Sequence, residues 1–339
     1  MKTTQRLTTF VSLLVAITFS VPAPAEQLPQ SRAFGSAVAP RPVAGAIWKD
    51  PGNIPSLDLL HGPGGPSNQP SGKFTFVKAD TGGSTPKFDV VDSNGVMWKV
   101  KLGDEAKSET AAARLLWAMG YFADEDYYLL EIQVEKMPKI RKLRKYVSAG
   151  GRVHGARLER MIKDQNRERD WSWYKNPMTG SKELDGLRVM MALMNNWDLK
   201  RSNNGIYINA GSLPRYAITD IGASFGKTGN TFVRSKSKVQ DYSRSKFIQK
   251  VTPEHVDFHL NSRPFFLTVF HLPNYIRRTK MQSVAKNIPR THAAWMGKML
   301  AQLTPGQLRD CFTSAGYSPL EVEKYSQSIH ARIAELKAL

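Results

Sequence analysis

Cysteine is almost absent, with Cys311 the only one in 339 residues. A single thiol excludes any intrachain disulfide and any thiolate metal cluster. Its setting, Leu308-Arg309-Asp310-Cys311-Phe312, suits a small buried helix residue rather than a nucleophile. Acidic residues are scarce as well: 29 Asp and Glu stand against 48 Lys and Arg, for a net charge of +19. That excess attracts anionic partners, among them nucleotides, lipid head groups, acidic proteins and nucleic acid. It is concentrated in two runs, Lys136 to Arg169 and Lys227 to Lys250, each of which also reads as an ordinary solvated face. Long apolar runs are missing except from Phe10 to Val21. Lys2 and Arg6 precede that run and Ala23-Pro24-Ala25 follows it, the pattern of an export signal cleaved after Ala25. An uncleaved anchor is the alternative, although the run is short for a spanning helix. The expectation is an exported protein, periplasmic or secreted, with no transmembrane segment in its mature chain. No internal repeat is apparent.

What is present is an ordinary globular balance, 41% hydrophobic and 23% charged, enough for a sizeable core. Residues 26–72 are rich in Pro, Gly, Ser and Ala and read as a linker or extended arm. Order is expected from Lys73. Three strands follow in a meander, Lys73 to Ala79, Lys87 to Asp92 and Val96 to Leu102. The first connection, Thr81-Gly82-Gly83-Ser84-Thr85-Pro86, carries two glycines and hydroxyl side chains. The third strand alternates, with Val96, Trp98, Val100 and Leu102 on one face and Met97, Lys99 and Lys101 on the other. A helix over Lys107 to Met119 follows, its apolar stripe of Ala112, Ala113, Leu116 and Met119 interrupted by Glu109. A carboxylate on such a stripe calls for a cation. Lys101 is the first choice of partner and Lys99 the second; Glu105 is the alternative to Glu109, which could instead complement the helix dipole. Tyr127 to Val134 is a further strand, and the basic stretch after it carries the remaining strand and a connection. Trp171, Trp173 and Tyr174 could line a cleft, although an aromatic cluster before a turn such as Asn176-Pro177 reads first as packing.

Ser181 to Asn196 is a periodic helix with Leu184, Leu187, Met190, Met191 and Met194 on its buried side. It leads into Asn195-Asn196-Trp197-Asp198-Leu199-Lys200-Arg201-Ser202-Asn203. Two β-rich runs, Gly205 to Ile208 and Tyr216 to Thr219, then flank a turn cluster and predict a hairpin. A hairpin brings its outer ends together, so Asn203 is expected beside Asp220, with Asn204 as a fallback, while Asp198 projects nearby. Two oxygen ligands for a hard cation next to a separate carboxylate suit metal-assisted phosphoryl transfer. A surface loop and hairpin rich in Asp and Asn would show the same residues.

Asp198-Leu199-Lys200-Arg201-Ser202-Asn203 resembles the catalytic loop of the protein kinase superfamily, and Asp220-Ile221-Gly222 resembles its metal-binding Asp-Phe-Gly. The resemblance implies a two-lobed α+β kinase-like fold over residues 73–339. Residues 73–150 would form a small antiparallel-sheet lobe with one helix, and 151–339 a larger, mainly helical lobe. It further implies ATP, with Mg2+ or Mn2+ held by Asn203 and Asp220. Asp198 would orient or deprotonate the acceptor hydroxyl, and Lys200 would steady the transferred phosphate. Gly82, Gly83 and Ser84 would cover the nucleotide phosphates with Lys99 and Lys101, Lys101 being paired to Glu109; an ordinary hairpin loop is the other reading of the glycines.

Ala-Pro-Glu is missing after Gly226, Asn196-Trp197 stands where His-Arg is usual, and Lys101 lies close in sequence to Glu109. These departures resemble the phosphatidylinositol-kinase-like and HipA-like branches. The acceptor is left open among a lipid head group, an acidic or other protein and a small molecule. A pseudokinase that binds nucleotide without turnover, and a basic protein on anionic membrane or, less in keeping with the motifs, nucleic acid, are the rivals. His255 and His259, four apart on an expected helix after Thr252-Pro253, have metal-ligand spacing but no third ligand. Three helices close the chain, each later one opened by a proline, Pro305 and Pro319.

Overall fold

A computed structural model describes residues 46–339 apart from 81, 84, 164, 209–211, 230–232, 262–264 and 269–270. The expected export signal and the first part of the expected arm lie outside the described residues. Strands β1 (Lys73–Asp80), β2 (Lys87–Val91) and β3 (Met97–Leu102) form the meander. Helix α1 (Asp104–Ala118) follows, then β4 (Asp126–Glu135) and β5 (Arg152–Arg160). The five strands close into a barrel in the order β1-β2-β3-β5-β4. Closure is made by a parallel pair, Lys73 opposite Gln133 on β4, which corrects the expectation of a purely antiparallel sheet. The physical reason is that every strand has an apolar face to bury. Phe74, Phe88, Trp98, Val100, Ile132, Val153 and Leu158 fill one interior, and closing the barrel leaves no unpaired edge. Because β5 completes the barrel, this unit extends to Arg160 rather than residue 150.

Beyond it lie β6 (Asn166–Asp170), α2 (Lys182–Leu193), β7 (Asn204–Ile208) and β8 (Arg215–Ile218). Strands β6, β7 and β8 make a three-stranded antiparallel sheet. Helix α3 (Val239–Ser243), β9 (Ile248–Val251), β10 (His255–Phe258) and α4 (Leu272–Gln282) come next, followed by β11 (Ile288–Pro289), α5 (Arg290–Leu300), α6 (Pro305–Thr313) and α7 (Pro319–Lys337). Pro305 and Pro319 open their helices inside capping boxes made by Thr304 with Gln307 and Ser318 with Glu321, which satisfy the first N–H groups. A second core joins the inner face of α1 (Ala112, Leu115, Leu116) to α2, α5, α6 and α7. Cys311 is part of it, its thiol donating to the Ala111 carbonyl at 3.1 Å.

Two expectations are corrected. His255 lies in strand β10, not a helix; four residues of strand span about 13 Å, so His255 and His259 cannot share an ion. The described part of the expected linker, from Ala46 on, is held against the body. Ile47, Ile54 and Leu59 are buried in the second core, and the Gln307 amide donates to the carbonyls of Ile54 and Leu57 at 2.8 and 2.9 Å. Its apolar residues are few, and Ile47, Ile54 and Leu59 are enough to hold it, while Leu60 is exposed.

Candidate functional site

Strand β3 sends Trp98, Val100 and Leu102 into the barrel, which turns Lys99 and Lys101 outward. Gly103, at φ +87°, is the single residue between the strand and α1. That left-handed position suits glycine, and the turn explains why Lys101 and its partner lie so near in sequence. Glu105 and Glu109, one helical turn apart, then both face the lysine. Lys101 Nζ lies 2.6 Å from Glu109, 3.4 Å from Glu105 and 3.2 Å from Asp220. Lys101 and Glu109 are 6% and 2% exposed, so their pairing is shielded from water. Burial would lower the ammonium pKa, but Glu109 and then Asp220 outweigh it and hold Lys101 above its ordinary value. Glu105 takes a place of its own instead of replacing Glu109. It accepts from Thr85 Oγ1 at 2.5 Å and pairs with Lys236 from the second basic run. Burial favours its neutral form, yet Lys101 and Lys236 pull its pKa down to about 2.

Helix α2 ends at Leu193, and Asn195 just beyond it is left-handed at φ +54°. The buried Arg332 of α7 donates to the Leu193 carbonyl at 2.6 Å and to Asn195 Oδ1 at 3.0 Å, fixing the exit of the chain. Asp198 follows, its N–H on Asn196 Oδ1 at 3.1 Å and its carboxylate 2.7 Å from Lys200 Nζ. The hairpin of β7 and β8 continues one step below its strands through Thr219 N–H to Asn203 O, 2.9 Å. Asn203 Nδ2 donates to the carbonyls of Asp198 at 2.8 Å and Asp220 at 3.5 Å. Its amide nitrogen is thereby committed, and its oxygen remains the group for a cation. Asn204, the fallback ligand, is turned away instead: it is fully buried with Nδ2 on the Trp171 carbonyl at 3.1 Å. Asp220 is half-exposed. Ile221 is buried behind it, and Gly222 lies against α1, where an added Cβ would come 2.9 Å from Glu105 Cβ. The Ser108 hydroxyl locks this contact by donating to the Gly222 carbonyl at 2.6 Å.

A hard divalent cation fits this donor set. Among the described residues no group of three or more His, Cys, Asp or Glu is placed to hold a metal; Asn203 and Asp220 offer an amide oxygen and a carboxylate. Magnesium is commonly bound by one or two protein oxygens and completed by phosphate and water.

Gly82 and Gly83 sit at the tip of the β1–β2 loop, Gly83 at φ +68° with its carbonyl taken by Lys142 Nζ at 2.7 Å. Ser84 lies outside the described residues. Lys99 does not join the Lys101 cluster. It lines a cavity of about 340 Å³ with Glu159, Met161, Ile162 and Tyr207. Met161 and Ile162 are exposed apolar residues where β5 leaves the barrel. Sequence reasoning missed them, although a Met-Ile pair between basic residues was a visible signal. It also missed Arg157, directly opposite Lys101 on β5. The buried Arg157 bonds Asp126 at 2.5 Å and Glu159 at 2.9 Å, and Arg114 bonds the other Asp126 oxygen at 2.9 Å. This chain of charges braces Glu109 from behind, with Arg157 3.9 Å from its carboxylate. Trp171 and Trp173 pack edge to face at 5.0 Å, as expected of a structural cluster.

No protein-family model matches the chain, and no curated protein matches it. Among solved structures it is similar to a Helicobacter pylori proinflammatory kinase, CtkA, at 12% identity over 79% of this chain and 95% of that one, with a TM-score of 0.41. It is also similar to the Golgi casein kinase with Mn and ADP bound, at 11% identity over 79% of this chain and 72% of that one, with a TM-score of 0.40.

Proposed function

We propose that this chain is an ATP-dependent phosphotransferase that moves the γ-phosphoryl group to a hydroxyl. The observation that carries the reading is Lys101 touching both Glu109, eight residues away, and Asp220, 119 residues away, with Asn203 anchored to the same Asp220 segment. Lys101 neutralises phosphate charge while Glu109 keeps it aimed. Asp198 accepts the hydroxyl proton, and Lys200, already on that carboxylate, steadies the transferring group. Asn203 and Asp220 hold Mg2+ or Mn2+, which when bound neutralises the charge of the β- and γ-phosphates. The base occupies the cavity beside Lys99, Met161 and Tyr207, and the Gly82-Gly83-Ser84 loop covers the phosphates.

The missing Ala-Pro-Glu and the Asn196-Trp197 pair favour the phosphatidylinositol-kinase-like or HipA-like branches over conventional protein kinases. Acceptors in keeping with the net charge are a lipid head group, an acidic protein or an anionic small molecule. On the same footing we place the protein outside the cytoplasm, with its mature chain beginning at Glu26; N-terminal sequencing of exported protein beginning elsewhere would overturn that.

The test of the activity is transfer of label from γ-labelled ATP with magnesium or manganese. Transfer is expected from the wild type and from neither Asp198→Asn nor Asp220→Ala. Nucleotide should raise the melting temperature of the wild type and of Asp198→Asn but not of Asp220→Ala. Label transfer surviving in Asp220→Ala would show the site to be misassigned, and nucleotide binding without transfer in the wild type would leave a binding module in place of an enzyme.

A further inference from the structure

A second cavity, of about 460 Å³, opens beside the catalytic loop and shares no lining residue with the cavity around Lys99. Its lining residues include Lys200 and Arg201 from the loop, Arg277 and Lys280 from α4, and Trp173 and Tyr174. No carboxylate lines it, and among the described residues Arg201, Arg277 and Lys280 have no ion-pair partner. Four cations around so small a space call for more than one negative charge. Lys200 bonds Asp198 at 2.7 Å, which ties this cavity to the proposed proton acceptor. Lys280 Nζ stands 5.4 Å from the centroid of the Tyr174 ring. Trp173 supplies a second observation: its indole N–H is buried and has no hydrogen-bond partner among the described residues, a donor left without an acceptor in the wall of a cationic cavity.

We infer that this cavity is the acceptor site and that it takes a phosphorylated sugar, free or as the head group of a lipid. The inference rests on the phosphotransferase reading and specifies its substrate class. The acceptor's phosphate sits among Arg201, Arg277 and Lys280, where guanidinium forks match phosphate oxygens. The C–H face of the sugar ring lies on the aromatic wall of Trp173 and Tyr174. A ring hydroxyl then reaches Asp198. Its oxygen forms a bond to the γ-phosphorus of ATP as the bond from that phosphorus to the bridging oxygen breaks. ADP leaves, the hydroxyl proton passes to Asp198, and the product is a doubly phosphorylated sugar. An acidic peptide would satisfy the cations but has no use for a compact cavity walled by rings.

The experiment is calorimetric binding of glucose 6-phosphate, glucose, inorganic phosphate and an aspartate-rich peptide to the full chain without nucleotide. In parallel, sedimentation is measured with phosphatidylcholine vesicles, plain or doped with a lipid bearing a phosphorylated glucosamine head group. The sugar phosphate should bind at least about tenfold more tightly than glucose or phosphate, and Arg277→Gln with Lys280→Gln should weaken it by about a hundredfold, as expected for two hydrogen bonds to charged groups. No residue of α4 is fully buried, so the double variant should keep the wild-type melting temperature. Binding of glucose 6-phosphate assigns the free source, binding of doped vesicles alone the lipid source, and either supports the inference. It is overturned if neither binds, if inorganic phosphate binds as tightly as the sugar phosphate, if the peptide binds more tightly, or if the double variant binds unchanged. A nucleotide-dependent rise in melting temperature is read separately. Its absence would sink the phosphotransferase reading, while its presence with no sugar-phosphate binding would sink this inference alone.

Discussion

Lys101 is a small buried charge network in itself, since three carboxylates converge on its ammonium. Replacing it with methionine leaves Glu109 buried beside an apolar tip, and removing one partner of a buried pair typically costs about 3–5 kcal/mol. Urea unfolding of Lys101→Met should show a loss of that order, and label transfer should disappear. Adding Glu109→Leu should recover part of the stability and none of the transfer, which separates folding from chemistry by a double-mutant cycle. Glu105 makes a pH prediction. Its folded pKa of about 2 lies below its ordinary 4.5, so its contribution to stability is complete above pH 4.5 and declines as pH falls from there toward 2. Glu105→Gln should therefore flatten the acid side of a plot of melting temperature against pH; an unchanged acid limb would deny the pairing. The Lys101–Glu109 contact was legible because alternation and a helical stripe are local patterns. Arg157 was not, since its place depends on which strand lies beside β3 in the barrel.

At the scale of elements, the site is a junction of α1 with the loop after β8. Gly222 allows the approach, and Ser108 fastens it. In Gly222→Ala the new methyl must displace the Glu105 Cβ and Cγ, 2.9 and 3.0 Å away. Overpacking of this kind costs about 1–3 kcal/mol. The predicted outcome is a lower melting temperature and slower label transfer, because Asp220 can retreat only by leaving Lys101. Wild-type turnover in that variant would mean that the junction does not position the carboxylate. The hairpin that joins Asn203 to Asp220 could be read from its flanking runs and turn residues. The strand around His255 could not, because Thr252-Pro253 opens a helix and a turn equally well and pairing with β9 and β11 decides between them.

Across the whole molecule, α1 carries its alanines and leucines into the larger core while Glu105 and Glu109 on the same helix pair with Lys101 of the barrel. The described part of the arm belongs to that core too. Leu59→Ala should therefore cost about 2–5 kcal/mol in urea unfolding, the range for a buried leucine; a change near zero would make the segment the loose linker its composition suggested. The proline, glycine and serine content of residues 46–72 suggested a linker or extended arm. It gave no hint that Gln307, some 250 residues away, would bond its carbonyls.

By itself the sequence determined the strand alternation that turns Lys101 outward, the place of Glu109 on the helix that follows, the hairpin that returns Asp220 to Asn203, and the helices at the end of the chain. All of these follow from periodicity and turn chemistry, which act over a few residues. Tertiary structure alone decided that the small sheet closes through a parallel pair, that Arg157 and Asp126 brace Glu109, that Arg332 caps the helix leading to Asp198, and that α4 brings Arg277 and Lys280 to the loop of Lys200. Each of these depends on contacts between segments far apart in sequence, and such contacts are chosen by burial and charge pairing in the assembled fold.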